Sequence, residues 1–178
     1  MRRFLTFAFT FGAFAAAAHL MAHQPAEVKP GPEHAILKES EGIWDATIKS
    51  MGGESKGVQM CKADLNGLWF LEHFKAEFGG KSFEGRGATS YDASKKKYVG
   101  IWIDSMSTSP MVTEGTYDAA KKTLTMVGDM PMPDGKAVKA TLTTVTTDAN
   151  TRVFTIRGKG PDGKDFEMLQ ITYKRRAK

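Results

Sequence analysis

The sequence predicts an all-β fold: an antiparallel up-and-down barrel of about ten strands, with a short N-terminal helix capping one end. Three observations carry this. From residue 43 onward, short runs rich in Val, Ile, Thr, Phe, Tyr and Trp alternate with period two. Glycine, asparagine, aspartate or proline punctuates nearly every junction between runs. No segment long enough for a crossover helix separates them, so sequential strands are antiparallel neighbours. A chain of 178 residues, 41% hydrophobic and 25% charged, suits one globular domain. A meander of that length hides its edges best by closing on itself, and the absence of long crossovers favours a barrel over a two-sheet sandwich.

The elements follow in order. Met1-Arg2-Arg3 gives a positive start, residues 4–18 carry no charge, and small residues follow at Ala15-Ala16-Ala17-Ala18 and Ala22. This is the layout of a secretory signal peptide over residues 1–22, cleaved after Ala18 or Ala22. The apolar run is shorter than the ~20 residues a membrane span needs, so no transmembrane segment is expected after cleavage, although an uncleaved anchor helix is the competing reading. No cysteine follows the run to take a lipid. The expected location is the periplasm or the exterior. Residues 23–31, with Pro25 and Pro30, form a linker, and the barrel domain occupies 32–178. Pro32 opens a helix over 32–39 with Ile36 and Leu37 as its buried stripe, ended by Gly42. Strands are expected near 43–51, 56–64, 68–78, 82–91, 97–105, 111–118, 122–128, 136–147, 151–158 and 165–174. Gly52-Gly53, Asn66-Gly67, Gly79-Gly80 and Asp134-Gly135 supply tight turns, and the Asp92 and Asp118 segments supply four-residue turns.

Composition excludes several functions. The formal charge of +5 is small and scattered, and Lys95-Lys96-Lys97, Lys121-Lys122 and Lys174-Arg175-Arg176 are not interleaved with aromatics, so no nucleic-acid partner is expected. A single cysteine, Cys61, rules out an internal disulfide and a cysteine zinc cluster, and reads as a small buried side chain. There is no phosphate loop, no paired-histidine metal helix and no nucleophile-elbow serine, and no cofactor is called for. His34 and His73 have no second ligand at a regular spacing. Met130 and Met132 could offer thioethers to Cu(I), and His23 could chelate Cu(II) as a new N-terminus; cavity-filling methionine is the plainer alternative.

Pro32-Glu33-His34 leading into Gly42-Ile43-Trp44, then Phe83-Glu84-Gly85-Arg86-Gly87, Tyr91-Asp92, Lys97-Tyr98-Val99, Trp102-Ile103-Asp104-Ser105-Met106 and Glu114-Gly115-Thr116-Tyr117-Asp118 follow one another in a recognisable order. Together they resemble the bacterial domain-of-unknown-function family numbered 1579, over about residues 31–174. The resemblance implies a calycin-type barrel, lipocalin- or fatty-acid-binding-like, and transfers no activity. Gly42-Ile43-Trp44 also resembles the opening of a lipocalin's first strand.

The candidate site is the barrel interior. Along 68–78, alternation puts Leu68, Phe70, Glu72, Phe74, Ala76 and Phe78 on the more apolar face, and along 97–105 it groups Tyr98, Gly100, Trp102 and Asp104. Trp44, Phe70, Trp102 and Met106 are expected as walls of a cavity, with Glu72, Arg86 and Asp104 as orienting groups; Glu114 and Arg157 are further candidates for the lining. The expected partner is a small apolar or amphipathic ligand. Two alternatives stay open: an enzyme using Glu72 or Asp104 as general acid or base, and a filled barrel that works through its outer surface. In the filled form Glu72 and Asp104 would pair with Arg86 or Arg157 as structural bridges.

Overall fold

The structure, a computed structural model, describes residues 27–132, 135–160 and 163–177. Helix α1 (Pro32–Lys38) is followed by strands β1 (Gly42–Ser50), β2 (Gly53–Asp64), β3 (Trp69–Phe78), β4 (Lys81–Asp92), β5 (Lys97–Asp104), β6 (Met111–Asp118), β7 (Thr123–Pro131), β8 (Ala137–Asp148), β9 (Thr151–Lys159) and β10 (Asp165–Arg175). Every strand pairs antiparallel with its sequence neighbour, and β10 returns to β1, so the sheet is a closed ten-stranded up-and-down barrel. Closure leaves no unpaired edge. Among the described residues no helix is long and apolar enough to cross a membrane.

The turn chemistry works locally. Asp92 Oδ1 accepts from the backbone N–H groups of Ser94 and Lys95, and Asp118 Oδ1 accepts from that of Lys121. Both turns then place a lysine, Lys96 and Lys122, at positive φ. The expected Asn66-Gly67 hairpin is instead a short 3₁₀ turn, Leu65–Gly67, in which all three residues have positive φ. Gly42 does not terminate α1. The helix closes at Glu39, whose N–H reaches Ala35 O at 3.0 Å, and Gly42 opens β1 at φ +126°. His34 caps the helix start by accepting from Gly31 N–H at 3.1 Å.

α1 lies across the end of the barrel where β1 begins. It is held there by buried Leu37, by Tyr98 Oη donating to Glu33 O at 3.1 Å, and by Trp44 Nε1 donating to Ser40 O at 2.9 Å. The core runs inward from that end through Trp44, Ala46, Ile48, Phe70, Phe74, Tyr98, Met126, Ile171 and Tyr173. Each large side chain so buried contributes ~1.5–3 kcal/mol. Register shifts between Thr146 and Asp148 and between Glu167 and Leu169 re-aim β8 and β10 against β9.

Candidate functional site

A chain of polar side chains crosses this apolar interior. Glu72 sits between Phe70 and Phe74 on β3, so alternation carries it inward with them. On β2, Cys61 pairs with Glu72 and Gln59 with Phe74, so both β2 residues share that inner face. Arg152 comes from β9, where it alternates with Phe154 and Ile156. Gln59 Nε2 donates to Glu72 Oε1 at 2.8 Å, and Arg152 Nη2 donates to Gln59 Oε1 at 2.7 Å and approaches Cys61 Sγ at 3.3 Å. The Arg152 guanidinium stacks on Trp44 at 4.3 Å and on Tyr173 at 4.8 Å. It is only 4% exposed, and its Nε–H has no hydrogen-bond partner among the described residues. An unpaired buried donor of this kind costs about 1–3 kcal/mol.

These neighbours tune one another. Burial raises the Glu72 carboxyl above its ordinary range, while the Arg152 charge and the Gln59 hydrogen bond pull it back. Burial and the nearby Glu72 push the Cys61 thiol up to about 12, against the opposing pull of Arg152. Burial likewise raises the Tyr173 phenol. A thiol raised this far stays protonated, which makes Cys61 a poor nucleophile.

Of the residues expected to line the interior, Trp44, Phe70, Glu72, Trp102 and Asp104 face inward. The Trp102 ring lies over Gly85 and Gly87, and its Nε1 donates to Asp104 Oδ2 at 3.0 Å. Arg86 does not join them. Gly85 and Gly87 take the inward positions of β4, so Arg86 between them projects from the outer wall. There it pairs with Glu84 at 2.9 Å, and Glu84 also holds His73 at 2.7 Å. Met106 lies beyond the end of β5 and is 74% exposed, so it is no wall of the cavity. Glu114 binds Lys95 and Lys97 on the outside, and Arg157 binds Glu167. The bridge from Glu72 to Arg86 or Arg157 is therefore replaced by the link through Gln59 to Arg152. Sequence reading missed Arg152 and Gln59; the signal for Arg152 was its place on the Phe154–Ile156 face. Met130 lies next to the end of β7 opposite Val138, and Met132 sits in the following turn. His23 and the leader lie outside the described residues.

Two concavities accompany the cluster. One, of about 190 Å³, opens beside the end of α1 and is lined by Glu39, Ser40, Trp44, Thr146, Asp148, Ala149, Arg152 and Arg175. The other is a shallow outer-wall depression of about 580 Å³, floored by Met60, Leu71, Ala88, Ile101 and Ile103.

The family model described as Protein of unknown function (DUF1579) matches residues 29–175. The chain belongs to that family. No curated protein matches this DUF1579 chain. Among solved structures it is similar to a de novo designed fluorescence-activating β-barrel, at 16% identity and a TM-score of 0.42, covering 79% of this chain and 96% of that one. A redesigned β-barrel matches at 13% identity and a TM-score of 0.40, covering 84% of this chain and all of the other.

Proposed function

We propose that this DUF1579 protein is exported and binds one small, largely apolar ligand inside its barrel. The observation that carries the reading is the Glu72–Gln59–Arg152 chain, a fixed polar crossbar in an apolar interior. Small-molecule sites have that composition: apolar walls and a few oriented polar groups. Phe78, Phe83, Trp102, Leu142, Phe154 and Leu169 pack on the core and remain partly accessible, and Ile48 is the large side chain with essentially no exposure. These partly accessible side chains are the apolar surface that a ligand would cover. Glu72, tied to Gln59, suits an orienting role better than proton transfer.

Native mass spectrometry of the protein from its own exported fraction tests this. The expected result is a chain beginning after Ala18 or Ala22 with a co-purified organic molecule near one to one. A bare polypeptide that also takes up no apolar fluorophore overturns the binding reading, and an unprocessed chain retained in the cytosol overturns export. A second reading, a module acting through its outer wall, is favoured by one observation. Met60, Leu71, Ile101, Ile103 and Val112 are exposed aliphatics on adjoining strands β2 to β6.

A further inference from the structure

The α1 end of the barrel holds two guanidiniums with no carboxylate bound to them among the described residues. Arg152 is buried, spends Nη2 on Gln59 and Cys61, and keeps Nε–H free. Glu72, the acid closest to it in the polar chain, reaches it through Gln59. Arg175 donates to the main-chain carbonyls of Glu39, Glu41 and Ala149, which satisfy its hydrogen bonds and leave its charge. The arginines in ion pairs among the described residues are Arg86, Arg157 and Arg176. Arg152 and Arg175 both stack on Trp44, at 4.3 and 4.1 Å. All three line the 190 Å³ cavity, whose rim carries the exposed acids Glu39 and Asp148.

We propose that this cavity binds a small monocarboxylate, its carboxylate on the Arg152 guanidinium beside Arg175 and its short tail against Trp44. The planar guanidinium matches a carboxylate in shape and charge. A buried cation whose nearest acid reaches it only through Gln59 gains from an anion placed directly against it. The volume is about six water volumes at ~30 Å³ each, so the ligand has few heavy atoms. Glu39 and Asp148 are screened by water where they stand, but a second negative group on the ligand would lie beside them. That selects a monocarboxylate over a dicarboxylate or a dianionic phosphate. The site shares Arg152 with the polar crossbar of the proposed interior site and lies beside the end of α1.

The test follows the indole N–H signals of the full chain, labelled with ¹⁵N at its 3 tryptophans, during titration with sodium butyrate. Trp69→Phe and Trp102→Phe assign two signals and leave the third to Trp44. Butyrate is expected to shift the Trp44 signal saturably, succinate to bind about tenfold more weakly through like-charge repulsion, and 1-butanol and sodium chloride to leave it unmoved. Arg175→Gln weakens butyrate severalfold, and Arg152→Met abolishes the shift. Equal responses to butyrate and succinate, a response to chloride, no saturable shift, or undiminished binding by folded Arg152→Met each overturns the proposal. If Arg152→Met does not fold, the butyrate-to-succinate ratio and Arg175→Gln decide it.

Discussion

Gly85→Ala probes how tightly Trp102 is held against the barrel wall. A Cβ added at Gly85 would stand 2.1 Å from Trp102 Cζ2, 2.7 Å from Cη2 and 2.9 Å from Cε2. Carbon atoms pack at ~3.5–4.0 Å, so the ring must retreat by roughly 1.5 Å. Gly87 beneath the same ring and the 3.0 Å hydrogen bond to Asp104 oppose that movement. Overpacking costs about 1–3 kcal/mol and a lost hydrogen bond about 0.5–1.5, so the variant should lose about 2–4 kcal/mol. Urea unfolding followed by far-ultraviolet circular dichroism measures this, with an unchanged m-value expected. In a Trp102→Leu background the clash partner is gone, and Gly85→Ala should cost under about 1 kcal/mol, giving a coupling of ~1–3 kcal/mol. Equal costs in both backgrounds would refute the reasoning, because the penalty would not then arise from the indole.

Glu72→Gln should flatten the pH dependence of stability. The raised carboxyl means that above the ordinary value of 4.5 the folded chain keeps a proton the unfolded chain has lost, so wild-type stability falls as pH rises through that window. The variant's stability relative to wild type should therefore rise along the same series, and a constant difference from about pH 4 to about pH 8 would contradict this. Cys61, with its thiol near 12, should resist iodoacetamide in the folded protein and react on unfolding in urea, as intact-mass analysis would show; rapid labelling in buffer would place the thiol elsewhere. Leu37→Ala should cost about 2–3 kcal/mol and expose α1 amides to hydrogen exchange, since Leu37 is the helix's buried side chain; unchanged protection would show that Tyr98 and Trp44 hold the helix unaided.

Strand positions were legible because their signals are local. Alternation separated Phe70, Glu72 and Phe74 from Leu71 and His73, and side chains on one strand cannot change faces without a bulge. Arg86 was expected inside without that rule being applied to its strand. A polar residue between two glycines looks like the useful one, but the glycines face inward and Trp102 of the neighbouring strand fills the space above them. Met106 was lost to a strand end two residues earlier, at Asp104. Arg152 was passed over although it shares a face with Phe154 and Ile156, because an arginine on an apolar face is ordinarily carried at a strand end with its head in water.

By itself the sequence determined the ten strands, the capping helix, most of their turns and the family, all written in short-range periodicity and turn chemistry. Only the tertiary structure decided what meets across the lumen. Arg152 reaches Gln59 and Cys61, separated from them by 93 and 91 residues, because β10 closes on β1 and brings β9 to within one side chain's reach of β2. Alternation says which side of the wall a residue faces. Closure and the stagger of strands around the barrel decide which inward side chains stand opposite one another, and no local pattern encodes that.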